Sequence, residues 1–189
     1  MTKIILASSS PQRENLMKQL GVNFEIIPSN FDEDSVKKIA PKEYVKKLAK
    51  CKAGFVADAQ NEGVIIGVDT VISFGDEIIG KPKNKEDAAK TLRKLSGKTH
   101  NVISGICVIN KYSNKIVTKA VVTKVKFRKL NEKLIKQYID SKEPLNKAGS
   151  YGIQGKGAIL IEAVNGDYYN IVGLPLTTLA KILEGMKVI

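Results

Sequence analysis

The sequence has few of the side chains that form disulfides or bind transition metals. It contains two cysteines and one histidine, and Cys51, Cys107 and His100 are far apart along the chain. A structural zinc site needs about four such ligands at characteristic spacings, and a disulfide framework needs several paired cysteines. Neither can be assembled here, so zinc-dependent and disulfide-stapled classes are excluded.

Long apolar segments are also missing. The chain is 43% hydrophobic and 26% charged, as is usual for globular proteins, and no apolar run approaches the roughly 18 residues that span a bilayer. Residues 1–7 are strand-like and carry no basic and apolar leader with a cleavage site. We therefore expect a soluble, cytoplasmic protein.

Repeats, low-complexity segments and Gly/Ser linkers are absent as well, so we predict a single domain over residues 1–189. Helical spacing alternates with strand patterns, which indicates a mixed α/β fold. We predict helices over 11–20, 41–59, 84–95, 131–139 and 176–186, and strands over 4–7, 24–27, 64–74, 77–79, 101–110 and 116–127. Residues 149–164 are expected to be extended structure interrupted by glycine.

The charge is strongly positive, with a net value of +12 and a pI of about 9.6. Such a charge attracts nucleic acid or polyphosphorylated substrates. Arginine occurs at Arg13, Arg93 and Arg128, whereas the lysines are scattered along predicted helices without interleaved aromatics. This pattern is not that of a nucleic-acid platform, and it favours a solvated lysine surface without a partner.

Residues 6–16, LASSSPQRENL, lead from a strand into a helix. Unpaired backbone N–H groups and the positive end of the helix dipole make such a turn an anion site. Ser8, Ser9 and Ser10 add hydroxyl donors, and Arg13 can form a forked contact with phosphate. The alternative is that Ser10 only caps the helix and Arg13 is solvated.

Two further segments contain candidate site residues. Asp69 interrupts an apolar strand, and a buried carboxylate is unfavourable unless it is paired or bound to a metal. Its structural alternative is an aspartate at a sheet edge or bulge. Lys81 follows the short hairpin strand, where an ammonium can meet a carboxylate or a phosphate. Residues 147–157 are rich in glycine and include Gln154, whose amide can both donate to and accept from a base.

Eight segments in this order resemble the Maf family of nucleoside triphosphate pyrophosphatases, also described as septum-formation proteins, over essentially the whole chain. They are LASSSPQR (6–13), FDE (31–33), LAKCKA (48–53), GVDT (67–70), GKP (80–82), LSGKTH (95–100), EPLNKAGSYGIQG (143–155) and GDYYNIVGLP (166–175).

The resemblance implies a mixed α/β fold with an elongated mixed β-sheet flanked by helices, and two lobes around a central cleft, as in ITPase-like proteins. It also implies hydrolysis between the α and β phosphates of a nucleoside triphosphate, which yields a monophosphate and pyrophosphate. By this resemblance Asp69 is the proton acceptor, and Ser8 lies in the turn that meets the triphosphate. The cations on the phosphate side are Arg13, Lys52 and Lys81.

The same resemblance implies a divalent cation, Mg²⁺, Mn²⁺ or Co²⁺, for which Glu33 and Asp69 are the expected ligands. Hard cations prefer oxygen ligands and retain waters, so one or two carboxylates and the substrate phosphates suffice. The expected partner is the nucleotide substrate, with no membrane and no nucleic acid, and the family suggests a homodimer.

Three positions correspond to the family's specificity determinants. Thr70 and Gln154 are of the type found in the subgroup that acts on dTTP and UTP, whereas Gln12 replaces the arginine usual in that subgroup. We therefore expect a dTTP/UTP pyrophosphatase. The alternatives are a 7-methyl-GTP pyrophosphatase of the same family, or a non-catalytic regulator of cell division that binds nucleotide or nucleic acid.

Overall fold

The structure, a computed structural model, describes residues 2–189. Its strands are β1 (Ile4–Leu6), β2 (Glu25–Ile26), β3 (Val64–Phe74), β4 (Glu77–Ile79), β5 (Thr99–Asn110), β6 (Lys115–Phe127) and β7 (Ile161–Asn165). Its α-helices are α1 (Pro11–Lys18), α2 (Pro41–Asp58), α3 (Lys85–Leu95), α4 (Glu132–Asp140), α5 (Tyr168–Val172) and α6 (Leu176–Gly185). Short 3₁₀ turns lie at Glu33–Ser35, Glu143–Asn146, Ala148–Ser150 and Gly155–Leu160.

Helix α1 begins as its sequence predicts. The Ser10 side chain accepts a hydrogen bond from the Arg13 backbone N–H, and Pro11 occupies the first turn, where its missing N–H has no intrahelical partner. The helix ends at Lys18, two residues before the predicted end, and Gly21 adopts a φ of 69° in the turn that follows. Residues 6–13 therefore comprise the end of β1, a short connection and the capped start of α1.

The strands form one mixed sheet in the order β2-β1-β3-β5-β6-β7, and β4 pairs with β3. Strand β1 runs parallel to both β2 and β3, with Ile5 opposite Ile65. Strand β4 is antiparallel to β3, and β7 is antiparallel to β6. The predicted mixed α/β class, with a mixed sheet flanked by helices, is confirmed.

The chain divides into two compact units, and neither is continuous in sequence. The first unit comprises residues 2–70, 104–121 and 173–189, and the second comprises residues 71–103 and 122–172. Three of the four boundaries fall inside β3, β5 and β6, and the fourth directly follows α5. The expectation of a single domain over the chain is not tested by this division and stays a prediction.

In the first unit, helix α2 packs closely on β1, β3 and β5. Its buried face is unusually rich in alanine, which brings the helix backbone near the strands. The core consists of Ile5, Ala7, Ala49, Ala53, Val56, Ala57, Ile65 and Cys107. Because small side chains separate the two layers, residues on α2 can reach past the sheet's apolar surface to polar groups on β3.

The second unit has a larger apolar core. Helices α3 and α4 supply buried alanine, leucine and isoleucine side chains, and β5, β6 and the residues before β7 supply Val102, Val125, Phe127, Tyr151 and Leu160. Burial of a leucine or isoleucine side chain stabilises a fold by about 1.5–3 kcal/mol relative to its exposed state. This core supports the glycine-rich segment 147–157.

The prediction for residues 149–164 is wrong over most of its length. Two 3₁₀ turns occupy Ala148–Ser150 and Gly155–Leu160, and extended structure begins only at Ile161. Gly149 and Gly155 adopt φ values of 66° and 84°, which turn the chain where extended structure was expected. The helix α5 was not predicted either. None of the helices within residues 2–189 is long and apolar enough to cross a membrane.

Candidate active site

Asp69 lies on β3, between β1 and β5 in the sheet, so it is not on an edge strand. The residue is only 6% exposed. Its Oδ1 atom lies 2.7 Å from Nζ of Lys52, which forms a buried ion pair. A buried carboxylate needs a cationic partner of this kind, since an unpaired one would be strongly destabilising.

Lys52 bridges two carboxylates. Its side chain extends from the buried face of α2, and its Nζ lies 2.8 Å from Oε1 of Glu33 in addition to its contact with Asp69. Glu33 belongs to the 3₁₀ turn Glu33–Ser35 and is largely exposed. An ammonium has three N–H donors, so a third remains for a ligand oxygen after these two contacts.

Two glycines allow α2 to approach the sheet so closely. A Cβ atom at Gly67 on β3 would collide with the Ala49 carbonyl oxygen, and one at Gly105 on β5 would collide with that of Val45. Glycine within a strand commonly marks such close backbone contact. The Gly67 contact is two residues from Asp69 and one helical turn from Lys52, so it sets the distance between the paired charges.

Arg13 is bound to protein oxygens. Its Nε donates to the Gly173 carbonyl oxygen at 2.9 Å, and one terminal nitrogen donates to Oγ of Ser8 at 3.3 Å. The other terminal nitrogen donates to Oγ1 of Thr70 at 3.2 Å. The alternative of a freely solvated Arg13 beside a simple helix cap is therefore wrong, although the Ser10 cap itself is present.

Electrostatic effects link Arg13 to the two carboxylates. Burial lowers the pKa of Arg13 below its usual value, while the charges of Asp69 and Glu33 oppose that shift. Burial also raises the pKa of the Tyr44 hydroxyl on α2, and Asp69 and Glu33 raise it further. Predicted residues from the segment after β1, from α1, the 3₁₀ turn Glu33–Ser35, α2 and β3 thus form one charged cluster within the first unit.

Gln12 is exposed on the first turn of α1, and its Oε1 accepts a hydrogen bond from Oγ of Ser10 at 3.2 Å. Thr70 follows Asp69 at the end of the first unit's part of β3, where its hydroxyl contacts Arg13. Of the three predicted specificity positions, these two belong to the first unit. Of these two, Thr70 contacts the charged cluster, because its hydroxyl accepts a hydrogen bond from Arg13.

Lys81 and Gln154 belong to the second unit, and both side chains are exposed there. Lys81 follows Gly80, whose carbonyl oxygen accepts a hydrogen bond from the Gly149 N–H at 3.0 Å. This bond ties the GKP segment to the glycine-rich segment. The two predicted residues therefore flank one connected set of turns within that unit.

The Glu143 carboxylate holds the glycine-rich segment in place. It accepts hydrogen bonds from the backbone N–H groups of Lys156 at 2.9 Å and Gly157 at 3.2 Å, and from the Tyr138 hydroxyl at 3.1 Å. Several glycines of this segment allow tight turns, because a Cβ at Gly157 would collide with the Gly152 carbonyl oxygen. Gln154 thus extends from a well-ordered turn.

The two carboxylates fit a divalent cation that shares its ligands with substrate and water better than one held by protein side chains alone. Within residues 2–189 no group of three or more His, Cys, Asp and Glu side chains is arranged to hold a metal ion. Oxygens of Asp69 and Glu33 nevertheless lie within 2.8 Å of the same Lys52 nitrogen, so both can converge on one cation. A Mg²⁺-like ion that takes its other ligands from substrate and water is compatible with this pair.

Comparison with solved structures defines the class of fold. The chain is similar to the Ham1 protein from Staphylococcus aureus, with a TM-score of 0.55 and 16% identity over 98% of this chain and 100% of the other. It is also similar to a HAM1 protein from Coxiella burnetii, with a TM-score of 0.52, 15% identity and the same coverage. These likenesses establish the fold alone.

The family follows from sequence. The model of the family described as Maf-like protein matches residues 3–186, and this chain belongs to that family, as the sequence motifs predicted. Proteins named dTTP/UTP pyrophosphatase are similar over nearly their full length. That of Clostridium novyi is 47% identical over 98% of both chains, and that of Pyrococcus furiosus is 48% identical over 97% of this chain and 95% of its own.

Sequence reasoning missed three groups at this site. They are the Ser104 hydroxyl, the backbone contact at Gly105 and the Gly173 carbonyl oxygen. A signal existed for the second, since a glycine inside the β5 pattern indicates close backbone approach. Gly173 lies within the motif GDYYNIVGLP, but nothing in that motif marks its carbonyl oxygen, and no pattern marks Ser104. Both roles depend on contacts with residues more than thirty positions away.

Proposed function

We propose that this protein hydrolyses dTTP and UTP between the α and β phosphates, releasing the nucleoside monophosphate and pyrophosphate. The predicted enzyme class, a nucleoside triphosphate pyrophosphatase, is confirmed by full-length relatives of that name at 46–48% identity. One observation supports the mechanism most directly. The buried Asp69–Lys52 ion pair lies in the same cluster as Arg13, the main candidate for phosphate binding.

Asp69 is the proposed proton acceptor. An ionised carboxylate is an acceptor-only group, and Oδ1 of Asp69 lies 2.7 Å from Nζ of Lys52. Water that loses a proton to Asp69 can attack the α phosphorus in line with the departing pyrophosphate. The protein's main contribution in such reactions is positioning and charge stabilisation.

The cations of the first unit bind the triphosphate in this mechanism. Arg13 has donors on two terminal nitrogens, which suits a forked contact with phosphate oxygens. Lys52 supplies a compact positive charge beside Asp69. Ser8, whose Oγ contacts both Arg13 and the Ser10 backbone N–H, lies where the chain enters α1. Lys81 is proposed as a further phosphate cation from the second unit.

A divalent cation, Mg²⁺, Mn²⁺ or Co²⁺, is the proposed cofactor. Glu33 and Asp69 would hold it, with remaining ligands from phosphates and water. When bound, such an ion neutralises charge on the triphosphate and polarises the reacting phosphoryl group. Lys52 contacts one oxygen of each of these two carboxylates.

Substrate choice is proposed to depend on Gln12, Thr70 and Gln154. Thr70 and Gln154 are of the dTTP/UTP type, and the relatives with that name agree with this assignment. A cytoplasmic location and a homodimeric state are further proposals, and nucleic acid is not an expected partner. Light scattering of the purified protein tests the oligomeric state directly.

The decisive experiment measures the products formed from dTTP, UTP, CTP and 7-methyl-GTP with Mg²⁺, Mn²⁺ or Co²⁺. We expect monophosphate and pyrophosphate from dTTP and UTP at the highest kcat/KM. Hydrolysis by contaminants from the lysate is measured with the Asp69→Asn variant, purified in the same way. A preference for 7-methyl-GTP would refute the subgroup assignment. If no nucleotide is hydrolysed but nucleotides still bind, a non-catalytic regulator is favoured.

A further inference from the structure

The Arg13 guanidinium is held by oxygens from three parts of the first unit. Ser8 follows β1, Thr70 lies on β3, and Gly173 precedes α6, and each supplies one acceptor at 2.9–3.3 Å. A guanidinium has five N–H donors. These contacts engage three of them, and each terminal nitrogen carries a second N–H. These three acceptors therefore fix the orientation of the guanidinium, and with it the direction in which its two remaining N–H groups point toward a ligand.

The Thr70 hydroxyl has a second partner. Its Oγ1 lies 2.8 Å from Oγ of Ser104, a β5 residue with 0% exposure. The same Oγ1 lies 3.4 Å from the Gly173 carbonyl oxygen, which is a much longer contact. Whether Ser104 donates or accepts, the short hydroxyl–hydroxyl bond orients Thr70 so that an oxygen lone pair can face Arg13.

Gly173 supplies the remaining constraint through its backbone. Its φ of 123° lies in the region that side chains rarely adopt, and a Cβ there would be 3.7 Å from Nε of Arg13. The carbonyl that accepts from Nε therefore depends on a glycine conformation. Together, Gly173 and Thr70 hold the guanidinium at two of its three nitrogens.

We propose that Ser104 is a positioning residue for triphosphate binding, which acts by fixing the Thr70 hydroxyl and through it the orientation of Arg13. This inference rests on the proposed function, because it assigns Arg13 to the phosphates. Ser104 is buried and acts through Thr70, so its loss weakens phosphate binding without removing a charge. Its effect should appear mainly in KM, since Arg13 contacts phosphate in both the ground state and the transition state.

The test uses Ser104→Ala in the full-length protein. Loss of one neutral hydrogen bond predicts a 3- to 10-fold increase in KM for dTTP, with kcat changed less than about 2-fold. The affinity for inorganic tripolyphosphate, measured by calorimetry, should fall by the same factor. Ser73→Ala is the matched control, since Ser73 on β3 is also buried, at 1% exposure, and should leave both quantities unchanged.

A double-mutant cycle separates positioning from a general structural effect. In a Thr70→Val background, Ser104→Ala should weaken tripolyphosphate binding by less than about 2-fold, because the connecting hydroxyl is already gone. A full additional effect in that background would overturn the proposal, and so would unchanged affinity in Ser104→Ala alone. Should Ser104→Ala unfold, Ser104→Cys keeps a side chain of similar shape with a weaker hydrogen bond, and should raise KM by a smaller factor; an unchanged KM in a folded Ser104→Cys would then overturn the proposal.

The measurement of tripolyphosphate affinity does not depend on whether the protein turns over a nucleotide. If the wild-type protein binds tripolyphosphate but releases no pyrophosphate from any nucleotide, the proposed function fails while the cycle still measures Ser104. If the wild-type protein does not bind tripolyphosphate, Arg13 does not serve the phosphates and the assignment of Ser104 is overturned.

Discussion

Both units bury titratable side chains, but they stabilise them in opposite ways. In the first unit, Lys52 and Asp69 form a buried ion pair with oppositely charged groups at 2.7 Å. In the second unit, His100 and Tyr151 are buried side by side as neutral rings, with Nε2 and Oη 2.6 Å apart. Burial lowers the pKa of His100 to about 4 and raises that of Tyr151.

The difference lies in the available partners. Desolvation disfavours any charge, and only a nearby opposite charge compensates for it. His100 instead packs edge-to-face on the uncharged rings of Phe127 and Tyr151, at ring distances of 4.9 and 5.3 Å. The buried ion pair is thus found in the first unit, while the second unit's neutral cluster lies at Tyr151, shortly before Gln154.

The largest expected effect comes from removing the central charge of the first unit. Asp69→Asn keeps the shape of the side chain and removes the proton acceptor, so kcat for dTTP should fall by about 10² to 10⁴. Circular dichroism should show a retained fold. Glu132→Gln is the control, because Glu132 forms an exposed ion pair with Arg93 and should leave kcat unchanged. A near wild-type rate in Asp69→Asn would shift the role of proton acceptor to Glu33.

The next effect tests how the ion pair is brought together. Gly67→Ala places a methyl group against the α2 backbone, so we expect a loss of about 3 kcal/mol in the free energy of unfolding, together with reduced activity. Gly54→Ala on the same helix is the matched control. It meets nothing within 4 Å, and should stabilise the protein by about 0.5–1 kcal/mol. Equal effects of the two substitutions in urea unfolding would refute the close packing.

The neutral cluster predicts a dependence on pH. The pKa of His100 is about 4 in the folded protein and 6.5 when unperturbed, so the unfolded state binds more protons between these values. Stability is then complete above about pH 6.5 and is lost as the pH falls, by about 2 kcal/mol between pH 7 and pH 5. The His100→Gln variant should not show this pH-dependent loss of stability. Parallel urea denaturation of both proteins measures it, and an identical loss in the two would contradict the prediction.

The smallest effect concerns the edge of the charged cluster. Gln12→Arg adds a cation on the exposed first turn of α1, which should lower KM for dTTP or UTP by about 3- to 10-fold at low salt. The gain should shrink at high ionic strength, because exposed charges are screened. Gln19→Arg adds the same charge at the other end of the helix and should have no effect. An unchanged KM in Gln12→Arg would show that residue 12 does not meet the substrate.

Local signals predicted the individual elements well. The Asn84 cap of α3 is present, with Oδ1 accepting from the Asp87 N–H at 2.8 Å, and β3 and β4 have the predicted bounds. The segment 149–164 was predicted wrongly because its glycines adopt turns that depend on Glu143, whose carboxylate binds backbone N–H groups thirteen and fourteen residues away. A contact of that range leaves no periodic pattern.

The sequence by itself determined the mixed α/β class, the helix that begins after Ser10, and the family whose motifs contain Asp69, Lys52 and Arg13. These features depend on local periodicity, on caps and on residue types, all of which can be recognised without coordinates. Only the tertiary structure decided that Arg13 is held by Ser8, Thr70 and Gly173, and that Ser104 stands behind Thr70. Those hydrogen bonds join residues up to 160 positions apart, so they exist only once the strands and α6 have packed.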